Sequence, residues 1–213
     1  MSSFRKLVLC VGLLTAPLWS ATAAGAAVAT VTGGPAFTGT ATTASLFKNH
    51  TSGKTFSCTS AILTNGSAVS AAGPIPPGFR VGTVTPAVSG CAIVGGLTIS
   101  VACQPAAFVV TGLTVAGHTP GAITGISCHL FLTSQTACRK HIVGSTGARF
   151  VNGPARIILD SAHQSLSRVN STNGAGGACP LLPNDASARW TNPTGGDLQS
   201  NVTPSNLNLN VTP

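Results

Sequence analysis

The chain has 213 residues, of which 43% are hydrophobic and only 7% charged, with positive mean hydropathy and a formal charge of +8. An ordinary soluble domain carries about 25% charged residues, so the polar surface must come from Ser, Thr, Asn and Gly, as in many secreted β proteins. The apolar content excludes a disordered chain, and the complete lack of Glu excludes HExxH zinc chemistry.

Residues 1–24 read as a cleavable signal peptide. Arg5 and Lys6 form the positive region, Leu7 to Leu14 the apolar run, and Ala21-Thr22-Ala23 the small residues that a signal peptidase reads. Cleavage is expected after Ala23 or Ala24, with Ala27-Val28-Ala29 as a second site, so the boundary falls within 23–29. A membrane anchor needs roughly 20 apolar residues; this run is shorter and Pro17 interrupts it. Cys10 sits inside the run behind Leu9, not after a small residue at its end, which argues against a lipoprotein. Loss of Arg5 and Lys6 takes the charge from +8 to +6. Residues 25–213 then form one secreted domain of about 190 residues, enough for a sizeable core.

Strand signals follow in series: Lys54 to Leu63, Phe79 to Val84, Leu97 to Cys103, Ala107 to Val115, Ala122 to Leu132 and Arg139 to Val143. Ala155 to Asp160, Ser165 to Asn170, Ala186 to Thr191 and Ser205 to Val211 continue it. These segments are rich in Val, Ile, Thr and Phe. The last alternates Leu207, Leu209 and Val211 with Asn206, Asn208 and Asn210, a period of two that buries one side. Asn65-Gly66, Gly73-Pro74, Gly117 to Gly121 and Asn152-Gly153-Pro154 mark turns. No stretch shows a capped helical period. The expected fold is all-β, a single-domain antiparallel sandwich or barrel.

Two hairpins can be placed. Ala107–Val115 and Ala122–Leu132 flank Gly117 to Gly121; pairing that sets Thr111 near Pro120 also carries Cys103 opposite Cys128. The other joins Ala155–Asp160 to Ser165–Asn170 across Ser161 to Gln164. Six cysteines remain after processing: Cys58, Cys91, Cys103, Cys128, Cys138 and Cys179. An even count in an exported chain reads as three disulfides, with 15 pairings open. Spacings of 33, 12, 25, 10 and 41 contain no CxxC, so thiol–imidazole neighbours such as Cys138 and His141 do not read as a metal site.

The segments Gly33-Gly34-Pro35-Ala36 before Phe37, Phe56-Ser57-Cys58-Thr59-Ser60, Val81-Gly82-Thr83-Val84, Ser89-Gly90-Cys91 and Gly95-Gly96-Leu97-Thr98 carry a resemblance. So do Gly121 to Ile126, Cys138 and the stretch from Cys179 to Asn192. The chain resembles an uncharacterised family of small secreted, disulfide-bonded β proteins of actinobacteria. That resemblance implies a secreted sandwich or barrel with Cys58–Cys91 and Cys138–Cys179 paired, which leaves Cys103 for Cys128. It implies no catalytic residue.

The search for chemistry is brief. Gly125-Ile126-Ser127-Cys128-His129 approaches the GxSxG elbow but fails at its last position; it reads better as a strand bearing a disulfide. Asp160-Ser161-Ala162-His163 holds triad residue types, yet falls in the expected second turn, where Asp and Ser bond to their own backbone. Paired carboxylates for glycoside hydrolysis would have to come from Asp160, Asp185 and Asp197, the only acids. No cofactor or metal site is read. Arg139, Lys140, Arg149, Arg156 and Arg168 cluster in one strand-rich third and form the candidate anion-binding set. Nucleic acid is not the expected partner, because Tyr is absent and stacking platforms are missing. The leading expectation is a non-enzymatic, secreted or envelope-associated β domain that binds an anionic envelope component. The alternative is a secreted hydrolase with an unrecognised Ser/His/Asp site.

Overall fold

Alternation of apolar and hydroxyl-bearing residues over long stretches builds the molecule entirely from strands. The computed structural model describes residues 27–49, 55–71, 75–93, 96–169 and 188–213; the expected signal peptide lies outside them. In chain order the strands are β1 (Val28–Thr32), β2 (Ala36–Ala41), β3 (Ser45–Asn49), β4 (Thr55–Ala68), β5 (Phe79–Ile93) and β6 (Thr98–Cys103). They continue as β7 (Ala106–Val110), β8 (His118–Leu132), β9 (Gln135–Val151), β10 (Arg156–Val169), β11 (Ala188–Thr191), β12 (Leu198–Thr203) and β13 (Asn208–Thr212). The all-β expectation holds, with no helix among the described residues.

Eleven of these strands form one antiparallel sheet whose pairings close on themselves. Around the ring run β4, β5, then β7 and β6 end to end, β8, β9, β10, then β12 and β11, and finally β2 and β3 back to β4. Five long strands and three shared positions make eight staves. The fold is therefore a barrel. Closure removes the sheet edges that would otherwise template aggregation.

The lumen is apolar. Phe108, Phe150, Ile123, Leu130, Leu132, Ile157, Leu159 and Leu198 are all fully buried within it. The outer wall is polar: Ser67 meets Thr83 at 2.9 Å, Ser60 meets Ser89 at 3.3 Å, and Ser127, His129, His141 and Arg149 also lie outside. Hydroxyl pairs of this kind replace the ionic surface that the sequence lacks.

One end of the barrel is capped by a separate two-stranded ribbon of β1 and β13. Leu207, Leu209 and Val211 turn inward, as their spacing predicts, and Ala29 joins them. Thr119, itself fully buried, donates its hydroxyl to the Leu209 carbonyl at 2.7 Å. Asn152 donates to the same carbonyl at 3.2 Å and accepts from the Leu209 amide at 2.9 Å. The opposite end carries the connections β3–β4, β5–β6, β8–β9 and β10–β11 and is called the loop end below.

Cys58 pairs with Cys91 and Cys103 with Cys128, each directly opposite its partner across neighbouring strands. The register inferred around Thr111 and Pro120 is observed, since the Thr111 amide donates to the Pro120 carbonyl at 3.0 Å. The expected Cys138–Cys179 bridge lies outside the described residues. The turn in this hairpin is tighter than expected: it occupies Val115 to His118, and the strand resumes at His118.

Two local readings are corrected. The expected strands Ala155–Asp160 and Ser165–Asn170 are not a hairpin; residues 156–160 and 165–169 belong to the single strand β10, which runs beside β9 with a bulge between Leu159 and Gln164. Asp160 accepts from the amides of Ala162 and His163 within the bulge, the Ser161 amide donates to Asp197, and pairing with β9 on both sides of the bulge overrides the turn propensity. Likewise Asn65-Gly66 does not end β4. Asn65 takes φ +48° in a bulge, and the Phe37 ring from β2 covers the bare Gly66 backbone.

Candidate functional site

Alternation along β9 divides the five basic residues expected to act together. Arg139 and Arg149 point outward, and ten residues of strand put them roughly 33 Å apart, beyond a Debye length of about 10 Å. Lys140, adjacent to Arg139 and so out of phase with both, is turned into the barrel opposite Leu130 and only 3% exposed. Arg156 lies beside Val151 near the capped end, with its Nε buried and without a hydrogen-bond partner. The backbone of Arg168 is opposite Ile142 on β9; its side chain lies outside the described residues. These five do not form one stripe.

Arg149 takes part in a polar cluster built by the β10 bulge. It donates to Asp197 Oδ2 at 3.2 Å, while the amide and hydroxyl of Ser161 donate to Asp197 Oδ1 at 3.0 and 3.2 Å. Asp160 accepts from the amides of Ala162 and His163 and lies 2.6 Å from His163 Nδ1. The hydrogen bond from His163 holds the Asp160 carboxyl below the usual carboxylate range, helped by those two amides. Ser161 is thus bonded to Asp197 and His163 to Asp160; the three triad types in this segment are close without forming a serine–histidine relay.

A serine–histidine contact does exist elsewhere. Ser127 on β8 places Oγ 2.8 Å from Nε2 of His141 on β9. His129, directly opposite His141, stacks on it with ring centroids 4.2 Å apart and planes 11° apart. Burial, and then the charge of His129, push the His141 pKa below its ordinary value. The imidazole is kept neutral and able to accept from Ser127. The two described carboxylates, Asp160 and Asp197, are engaged in the bulge cluster. The pair lies on the open outer wall, where the Gly125–His129 segment forms a strand bearing the Cys103–Cys128 disulfide, as its sequence suggests.

One apolar cavity is inside the barrel. A cavity of about 40 Å³ is lined by Phe47, Phe56, Trp190, Ile142, Leu166 and both disulfides, among other apolar groups. Eight staves leave an interior that side chains just fill or that holds one small ligand. Phe47 and Phe56 stack at 4.9 Å, and Trp190 is directly opposite Phe47 on the neighbouring strand. The cavity is biased toward the loop end, where these strands begin or finish.

At that end the charges converge. Lys48 on β3 is directly opposite Arg189 on β11, both exposed, one residue from the last pair of the ladder. Neither has an ion-pair partner among the described residues. Arg139 and the inward Lys140 start β9 at the same end. No described acid is found there, since Asp160 and Asp197 lie beyond the middle of β10. Sequence reasoning missed Lys48 and Arg189 because β3 was not recognised. The Ser45-Leu46-Phe47-Lys48 alternation held the signal, but five residues between glycine- and threonine-rich stretches are too few to carry it.

No protein-family model, curated protein or solved structure matches the chain.

Proposed function

We propose that this is an exported, non-enzymatic β-barrel that acts in the extracellular or cell-envelope space by binding an anionic envelope component through its loop end. The observation that carries this reading is the exposed cation pair of Lys48 and Arg189, directly opposite each other on a surface without described acids. Like charges directly opposite each other destabilise a sheet, and a bound anion relieves that repulsion. Export is supported by the signal-peptide pattern of residues 1–24 and by two disulfides, which persist in oxidising compartments. The polar outer wall and apolar lumen are the inverse of a membrane-spanning barrel, which turns its apolar face to lipid.

Co-sedimentation of the mature, oxidised protein with purified cell envelope across a salt series tests this reading. Pelleting at low salt that is lost at high salt is expected, and Lys48→Gln with Arg189→Gln should weaken it. A protein that stays in the supernatant throughout rejects the binding role. The Ser127–His141 contact favours one competing reading, a secreted hydrolase. Labelling of Ser127 by a serine-reactive phosphonate would support that alternative; an unlabelled protein would remove it.

A further inference from the structure

We propose that His129 and His141 form a surface site for a divalent transition-metal ion of the copper, nickel and zinc class, chelated by one nitrogen from each ring. The site stands apart from the loop-end cations and does not depend on the envelope reading.

The two histidines are twelve residues apart in sequence, and only the pairing of β8 with β9 sets them directly opposite each other. Both lie on the outer wall, His129 exposed and His141 half-buried. Their rings stack with centroids 4.2 Å apart and planes 11° apart. Each ring covers one face of the other, so the edges, which carry the nitrogens, are what remains for a ligand. Nitrogens bound to one ion at about 2.0–2.1 Å are about 2.9–3.4 Å apart in adjacent positions of a square or a tetrahedron. The ring spacing exceeds that by about 1 Å. Rotation about the side-chain bonds of the exposed His129 closes this gap and brings its nitrogen to the same edge. The backbone need not move: β8 and β9 pair on both sides of the two histidines, and Cys128, next to His129, is bridged to Cys103.

The donor set selects the ion. Imidazole suits copper, nickel and zinc, whereas magnesium and calcium require carboxylate or carbonyl oxygen. The two described carboxylates are engaged in the bulge cluster. No group of three or more His, Cys, Asp or Glu gathers among the described residues, so solvent completes the coordination and the ion exchanges readily. The Ser127 hydroxyl, 2.8 Å from Nε2 of His141, is placed to hydrogen-bond a water on the ion. Arg139, two residues before His141 on the same outward side, opposes the ion with its own charge and keeps the affinity modest.

Copper(II), titrated into the mature, oxidised protein at about pH 7.5 and followed by electron paramagnetic resonance, should saturate at one ion per chain. The spectrum should carry hyperfine structure from two imidazole nitrogens. Nickel and zinc should bind more weakly than copper, and magnesium should give no response. Zinc should shift the ring resonances of His129 and His141 together in NMR spectra. His129→Gln and His141→Gln should each weaken copper binding about a hundredfold, because the second nitrogen acts at high effective concentration. His118→Gln and His163→Gln should leave the affinity unchanged. The exposed His129 keeps the test decisive if His141→Gln does not fold. No saturable copper binding at submillimolar concentration, or binding that survives His129→Gln undiminished, overturns the proposal.

Discussion

The Ser127–His141–His129 group shows how single side chains on this sparsely charged surface set its response to pH. His141 is more easily kept neutral in the folded protein than in the unfolded chain, because burial and the neighbouring His129 both oppose its charging. The unfolded state therefore binds more protons near the imidazole pKa, and stability rises with pH there. The contribution is complete above the ordinary imidazole value and is lost as pH falls through it toward the lower folded value. Denaturant titrations between about pH 7.5 and about pH 5.5 should show decreasing stability on acidification. His141→Gln should flatten that dependence, and His129→Gln should raise the His141 titration midpoint followed by NMR. Asp160 acts in the same direction lower on the scale: its depressed pKa gives stability that is lost as pH falls through the folded value. Glycines matter at single positions too. A Cβ on Gly82 would collide with the Ser67 carbonyl across the β4–β5 pair, so Gly82→Ala should cost about 3 kcal/mol in equilibrium unfolding.

At the scale of elements, the long strands are held in register by devices that a local reading takes for turns. The β10 bulge lets a strand of fourteen residues keep β9 as its neighbour before and after Asp160–His163 while turning Asp160, Ser161 and His163 to the outer wall. Gly147 sits beneath it, with a Cβ at that position 3.0 Å from the His163 Cβ. Asp197→Asn should loosen the bulge, since one carboxylate accepts from Arg149 and twice from Ser161; a loss of about 1–3 kcal/mol and faster amide exchange at Ser161 are expected. The disulfides fix register at the other end. They close separations of 33 and 25 residues, which corresponds to about 3–4 kcal/mol each on the chain-entropy account. Replacing Cys103 and Cys128 together by Ala should lower the unfolding free energy from denaturant titration by about that amount without changing the outer wall.

For the whole molecule, closure and capping are joined. The ribbon of β1 and β13 pairs two strands far apart in sequence and fills the end of the lumen opposite the cavity. Its attachment runs through Thr119, whose hydroxyl lies between Leu209 and Thr114. Thr119→Val should cost about 1–3 kcal/mol by leaving the Leu209 carbonyl with one partner fewer, and it should raise amide exchange in β13 before β8. The cap also explains why the two ends of the barrel differ in character. Hydrogen-bonded backbone and buried leucines occupy one, while the cations of Lys48 and Arg189 face each other on the outer wall near the other.

Composition and period alone determined the all-β class, the inward side of β13 and the Cys103–Cys128 register, because each rests on neighbours in sequence or on one tight hairpin. Ser205 to Val211 was legible for the same reason: its period of two needs no partner to be seen. Short strands such as β3 and β12 were not legible, since pairing with distant strands makes them what they are. Nor was the fate of Asp160 to Gln164, where local turn chemistry and continuous pairing with β9 compete and the longer ladder wins. Lys140 and Arg139 are adjacent in sequence and were read as one basic group, but a strand sends neighbours to opposite faces, so one entered the lumen. Lys48 and Arg189 are 141 residues apart in sequence and meet only because the sheet closes. Only that closure set the two cations directly opposite each other, since only the ring's pairing brings β3 and β11 together.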